Sequence, residues 1–235
     1  MSQRKVALAV IDLQEDFLPP HGSLAVAQGR SVIPLINDLV TNRQFKWSAV
    51  IATQDWHPSD HTSFASQHGV APFTELEFKH PLDEKDPVTN EVIIKKQVVW
   101  PDHCVQESSG ACIDASFLGN FNSISPNIVK TVVKKGYLSD REYYSCFQDT
   151  WGLHHTEMEK FLRDNKITDV IFVGLAYDYC VFNSAKDSAA DGFNTYVLKK
   201  CCKSVYPEKE AETDELYRKA NVTIIEDDSY VDLLK

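Results

Sequence analysis

Asp169-Val170-Ile171-Phe172-Val173-Gly174-Leu175-Ala176-Tyr177-Asp178-Tyr179-Cys180 begins as an apolar, β-branched run and passes through a glycine to a thiol. From Val181 to Asp191 the apolar spacing becomes helical, so the segment reads as a strand handing over to a helix. Similar short runs recur along the chain, at Val6 to Asp12, Ser48 to Gln54, Asn127 to Val133, Thr195 to Lys199 and Val222 to Ile225. Between them, Val32 to Thr41, Thr156 to Asn165 and Glu208 to Ala220 also carry helical spacing. Nearly continuous apolar strands that alternate with helices belong to a parallel sheet covered on both faces. The expected fold is therefore α/β, a doubly wound, mainly parallel six-stranded sheet with helices on both faces. Gly192 and Asn194 punctuate one passage from helix to strand, and Pro207 followed by acidic residues suits a helix start.

Trp56 to Asn90 breaks this rhythm. It is dense in Pro, His, Asp and Ser with little periodicity, and is expected to be a long functional loop. The chain has no internal repeat and no linker composition, so residues 1–235 are read as a single domain with a long insertion around 56–104, a place to look for ligands.

With 43% apolar and 25% charged residues, the composition is that of a folded protein and not of a disordered chain. A net charge of −10 repels phosphate backbones and anionic lipid, which argues against nucleic acid and membrane surfaces as partners. No apolar run is long enough to span a bilayer, and Met1 to Lys5 leads into Val6 to Asp12 without a signal-peptide pattern. Six cysteines in 235 residues do not make a dense disulfide framework, so they are read as reduced thiols. Cytoplasm is the expected compartment; nuclear or peroxisomal traffic and homo-oligomerisation stay open.

In an open parallel sheet, ligands bind beyond the carboxyl ends of the strands. Four runs deliver reactive side chains there: the first ends at Asp12, the second at Asp55, the third at Lys135, and the fourth leads through Gly174 and Ala176 to Cys180. Cys180 stands where a helix begins, and the unpaired N–H groups of a helix N-terminus favour a thiolate and can bind an oxyanion. A free cysteine is as often a small buried hydrophobe; Cys104, Cys112, Cys146, Cys201 and Cys202 lack this setting. Asp12 is the strand-end carboxylate available to move a proton, although an Asp there can also cap a turn. Lys135 is the candidate cation, with an ordinary solvated lysine as the bland reading.

Asp55 and His57 are two residues apart, so in extended chain both side chains point the same way, as metal ligands would. His103, in Trp100-Pro101-Asp102-His103-Cys104, can supply a third ligand and leave positions open for water and substrate. An Asp-x-His fragment also arises by chance, and His61, His68 and His80 lie nearby; His61 suits an outer supporting position.

Taken together, Val10-Ile11-Asp12-Leu13-Gln14-Glu15-Asp16-Phe17, Asp55-Trp56-His57-Pro58, Trp100 to Cys104, Lys135-Gly136 and Gly174 to Cys180 resemble the nicotinamidase branch of the isochorismatase-like cysteine hydrolases. The similarity runs from Val6 to about Ile225, and Asp140-Arg141-Glu142-Tyr143-Tyr144-Ser145 looks like the fungal and other eukaryotic enzymes. The resemblance implies a Rossmann-type sheet and a catalytic triad of Asp12, Lys135 and Cys180. It further implies zinc or a similar divalent ion on Asp55, His57 and His103, with nicotinamide as substrate in NAD salvage. It implies a pocket walled by Phe17, Trp100, Tyr144 and Tyr179, a non-proline cis peptide between Leu175 and Ala176, and an oxyanion hole from the backbone of Ala176 and Cys180.

Three other readings compete. A related amidase acting on carbamoyl or ureido compounds would share the triad but not generally the full Asp-x-His and His set. A noncatalytic binding protein on the same fold would not need Asp12, Lys135 and Cys180 intact. A dinucleotide binder would need a G-x-G-x-x-G turn after the first strand, where this chain has Asp12-Leu13-Gln14.

Overall fold

The computed structural model describes residues 4–234. Its strands are β1 (Val6–Ile11), β2 (Ala49–Asp55), β3 (Thr74–Lys79), β4 (Ile94–Val99), β5 (Val129–Lys135), β6 (Asp169–Leu175), β7 (Asn194–Lys203) and β8 (Thr223–Ile225). Six form one sheet in the order β5-β2-β1-β6-β7-β8, with every neighbouring pair parallel. β3 and β4 form a separate antiparallel hairpin.

The central strands are apolar on both sides because both sides are covered: every residue of β1 and β6 is buried. Leu8 and Val10 of β1 share a core with Ile36 and Leu39 of α1 (Ile33–Thr41) and with Phe117 and Phe121 of α2 (Ala115–Asn122). Ala7 and Ala9, on the opposite face, share the other core with residues of three helices. These are Met158 and Leu162 of α3 (Met158–Asp164), Ala185 of α4 (Phe182–Ala190) and Tyr217 of α5 (Glu210–Lys219). The two-residue strand period thus feeds two helical layers. From β1 the chain steps outward through β2 to β5, then returns past β1 to β6 and proceeds the other way. The switch falls between β1 and β6, where ligand crevices form.

Several expected boundaries shift. β5 starts at Val129 and continues to Lys135, and β7 runs on to Lys203 past a register shift opposite Phe172 and Gly174. The helix expected from Val181 is preceded by a π-type turn over Tyr177–Val181, and the one expected from Glu208 starts as a short 3-10 turn at Pro207–Lys209. α3 is shorter than the expected Thr156 to Asn165.

Trp56 to Asn90 is not without regular structure. It holds β3, where half-buried Thr74, Leu76 and Phe78 alternate with exposed Glu75, Glu77 and Lys79. Only two large apolar residues mark that alternation, too few to stand out in the sequence. The hairpin is fastened to the turn at 148–152: Trp151 meets the His80 ring edge-on at 5.0 Å, and the Lys95 ammonium lies 4.6 Å from its ring centre. Lys95 Nζ also donates to Thr150 O at 2.6 Å.

Candidate active site

The parallel ladder brings three strand ends to one buried point. Lys135 Nζ lies 2.6 Å from Asp55 Oδ1, 2.9 Å from Asp12 Oδ2 and 3.5 Å from Cys180 Sγ, and also donates to Tyr143 O at 3.0 Å. A carboxylate oxygen of Asp12, one of Asp55 and the Cys180 sulfur all lie within 4.8 Å of one another. The Asp12 backbone N–H donates to Thr53 Oγ1, whose hydroxyl donates back to Asp12 Oδ1. Among the described residues Oδ2 has no hydrogen-bond partner and is ion-paired with the ammonium at 2.9 Å, which makes it the oxygen available to take a proton.

Burial alone would strip the charge from Lys135, but Asp12 and Asp55 reverse this and hold its pKa well above the usual lysine value. The lysine is thus a fixed cation, not the solvated side chain of the bland reading. Burial raises the Asp12 carboxyl, and the Lys135 charge only partly offsets it. Burial also raises the Cys180 thiol well above its ordinary value despite Lys135, so the resting sulfur carries its proton. A neutral thiol beside a carboxylate of raised basicity is suited to passing a proton during attack instead of before it.

The second cluster lies against the first. Asp55 Oδ2 is 3.6 Å from His57 Nε2, and Asp55, His57 and His103 each place a ligand atom within 4.8 Å of the others. Ring tautomers follow from the outer contacts. His57 Nδ1 is 2.8 Å from Gly136 O and His103 Nδ1 is 2.7 Å from Pro101 O. A carbonyl only accepts, so both Nδ1 atoms carry the proton and both Nε2 lone pairs remain for a cation. Among the described residues, the buried His57 Nε2 has no hydrogen-bond partner.

Burial lowers the Asp55 carboxyl's basicity not at all; it is Lys135, then His57, that overcome desolvation and hold its pKa below the usual carboxylate range. Burial and then the His57 charge push His103 down to about 4, leaving it neutral. For His57, burial is outweighed by Asp55 and the pKa rises, so the local field favours positive charge where the donors converge. Two imidazole nitrogens and a carboxylate make a donor set that fits zinc or a similar divalent ion. Gly136, at φ +71°, permits this approach, since a Cβ there would lie 2.3 Å from His57 Cε1. His61 is not a ligand candidate: its ring stacks 4.0 Å from that of His57, while its nitrogens meet Ser63 Oγ at 2.7 Å and Arg141 O at 3.0 Å.

A pocket opens over both clusters, lined by the four expected aromatics Phe17, Trp100, Tyr144 and Tyr179, together with Ala176 and Cys180. Trp100 stands edge-on to Tyr179 at 4.8 Å and its Nε1 donates to Tyr144 Oη at 3.3 Å. The Leu175–Ala176 peptide is cis, as the resemblance implied.

Comparison with known proteins places the chain. An isochorismatase domain model matches residues 121–228. Nicotinamidase of Saccharomyces cerevisiae is 36% identical over 81% of this chain and 84% of its own length, and that of Escherichia coli 37% identical over 85% and 83%. The chain belongs to the nicotinamidase family. The solved yeast nicotinamidase superposes with a TM-score of 0.85 at 32% identity, over 94% of this chain and 100% of the yeast chain. A pyrazinamidase of Pyrococcus horikoshii, solved in complex with zinc, superposes with a TM-score of 0.69 at 29% identity, over 94% and 98%.

This nicotinamidase pocket also contains residues that pattern reading passed over. Leu24, Val26 and Val205 line it from irregular segments, where no period announces them. Glu142 lines it too, as a buried carboxyl whose pKa burial raises, with Oε1 accepting the Tyr143 N–H at 2.7 Å. Its only signal in the sequence is its place within Asp140 to Ser145.

Proposed function

We propose that this nicotinamidase hydrolyses nicotinamide to nicotinate and ammonia through a thioester on Cys180, with Asp12 moving protons and Lys135 holding Asp12 and the sulfur together. The observation that carries the proposal is the meeting of Asp12, Lys135 and Cys180 at one buried point beneath an aromatic pocket. As the Cys180 sulfur forms a bond to the amide carbon, its proton passes to Asp12. The backbone N–H groups of Ala176 and Cys180, at the start of a helical turn, receive the developing oxyanion. Asp12 returns the proton to the amine nitrogen, the C–N bond breaks and ammonia leaves.

Water then gives a proton to Asp12 as its oxygen bonds to the thioester carbon. The C–S bond breaks, and Asp12 protonates the departing sulfur. Lys135 keeps its charge throughout and prevents Asp12 from drifting out of reach. Phe17, Trp100, Tyr144 and Tyr179 present ring faces and edges to a flat heteroaromatic substrate and exclude bulk water. Asp55, His57 and His103 would hold a divalent ion, zinc by preference, which supplies a Lewis acid to anchor and polarise a ring nitrogen. The product, a pyridine carboxylate, suits NAD salvage. A cytoplasmic location belongs to the same reading, supported by six cysteines that are all free.

The test is ammonia release from nicotinamide by purified enzyme, with chelation, zinc restoration and a Cys180→Ala variant. The expected result is release that falls on chelation and returns with zinc, and a loss of at least about a thousandfold in Cys180→Ala with the fold kept. Turnover by folded Cys180→Ala at a near-normal rate would remove the thioester route.

A further inference from the structure

Asp178 lies two residues before Cys180 in the same turn and does not line the pocket. Its carboxylate points the other way, into the connection between β7 and α5. Oδ1 accepts the Val205 N–H at 2.9 Å and Oδ2 accepts the Tyr206 N–H at 2.8 Å. Both oxygens are thus spent on consecutive backbone donors of one loop, immediately before the turn that begins at Pro207. Charge-assisted bonds of this length hold two segments in register more firmly than neutral ones.

The loop so held contributes directly to the pocket. Val205 lines it, and the Tyr206 ring lies 6.3 Å from that of Tyr179, which in turn braces Trp100 and Tyr144. The neighbouring residue has its own anchor on the helical side: Tyr177 Oη donates to Asp214 Oδ1 at 2.7 Å, and Tyr217 Oη donates to Tyr177 O at 2.7 Å. Tyr177 therefore ties the nucleophile turn to α5, and Asp178 ties it to the pocket wall. Without the carboxylate the N–H groups of Val205 and Tyr206 lose their partners, and the wall can move relative to the sulfur.

We infer that Asp178 is a positioning residue that sets substrate affinity, by fixing the Val205–Tyr206 wall against the turn that carries Cys180. The inference rests on Cys180 being the nucleophile. It separates binding from chemistry, because Asp12, Lys135 and the sulfur are held by contacts in which Asp178 takes no part.

The test is steady-state kinetics of Asp178→Ala and Asp178→Asn on nicotinamide, paired with the rate of Cys180 alkylation by iodoacetamide in the absence of substrate. Asp178→Ala should raise KM about tenfold or more, with kcat within about threefold and alkylation nearly unchanged. Asp178→Asn keeps the shape and one acceptor oxygen and should fall between the two; it carries the test alone if the alanine variant does not fold. A KM within twofold of the parent in both variants overturns the inference. So does a parallel fall in kcat and alkylation rate, which would make Asp178 a support of the turn alone. Cys180→Ala distinguishes the two levels: if it is inactive while the Asp178 variants match the parent, only this inference fails, whereas an active Cys180→Ala removes the nucleophile on which it rests.

Discussion

The two sides of the crevice are built in different ways. Asp12, Lys135 and Cys180 hang from β1, β5 and the turn after β6, and hydrogen-bonded strand ladders fix those supports. His57, His103 and Trp100 stand on chain that is mostly irregular, held by isolated bonds such as His57 N–H to Cys104 O at 3.0 Å and Ala65 N–H to Trp100 O at 2.8 Å. Strand ends can fix a few atoms tightly but point in one direction. Irregular chain can reach over the sheet edge and close the site from above. Damage on the strand side should therefore strike fold and chemistry together, and damage on the other side should strike the metal or substrate while sparing the fold.

The largest effect is expected from Lys135→Met, which keeps most of the volume and removes the charge between two buried carboxylates. In metal-free enzyme this should cost about 3–5 kcal/mol of stability, because Asp12 and Asp55 are left facing each other. Turnover should fall to background. A urea midpoint unchanged from the parent would break the comparison at its strongest point, since it would mean that Lys135 does not hold the strand ends together.

A smaller and narrower effect is expected from His103→Asn. The amide can still donate to Pro101 O in place of Nδ1, but the free Nε2 is gone. Zinc affinity, measured by equilibrium dialysis, should fall at least about tenfold, while the metal-free protein loses less than about 1 kcal/mol. Loss of metal-free stability on the scale of Lys135→Met would show that the irregular side is as integral to the fold as the strands.

The same contrast explains what could be read from the sequence. The six strands are legible, and so are the positions of Asp12, Asp55, Lys135 and Cys180, because apolar runs end on them or lead to them. His57 follows from its spacing to Asp55, His103 and the roles of all six rest on the resemblance, and the switch point between β1 and β6 needed the strand order. Cys180 is legible since Asp169 to Gly174 points at it. The turn that presents it differs from the simple helix start expected, being a π-type turn before α4. α2 was legible in principle: Asp114 caps it, accepting the Phe117 N–H at 2.9 Å, and Phe117 and Phe121 are one turn apart on its buried face. At only eight residues, its period is too brief to stand out from loop chain. Leu24, Val26 and Val205 had no local signal, since only tertiary closure makes them pocket walls. The hairpin was hidden for a third reason, as its exposed face is charged and its buried face makes contact with a turn instead of a core.

That hairpin offers the smallest expected effect and the finest test of the comparison. Trp151 is the point where it meets the body: the His80 ring on one side, the Lys95 ammonium on the other, and a turn anchored by Asp149, whose carboxylate accepts the N–H groups of Trp151 at 2.7 Å and Leu153 at 2.9 Å. Trp151→Ala removes the ring and leaves that anchor intact. Since the contacts are partly exposed, the cost should be about 1 kcal/mol, with nicotinamide turnover and KM within twofold of the parent. The hairpin itself should loosen, so limited proteolysis should cut faster between β3 and β4, where Leu82 and Val88 already stand exposed. If KM rises instead, strain has travelled from Trp151 back along the chain to Tyr144, and the hairpin must be counted as a support of the pocket wall. If cleavage between β3 and β4 does not accelerate, the arm is held by its own antiparallel ladder, and the Trp151 contact only rests on it.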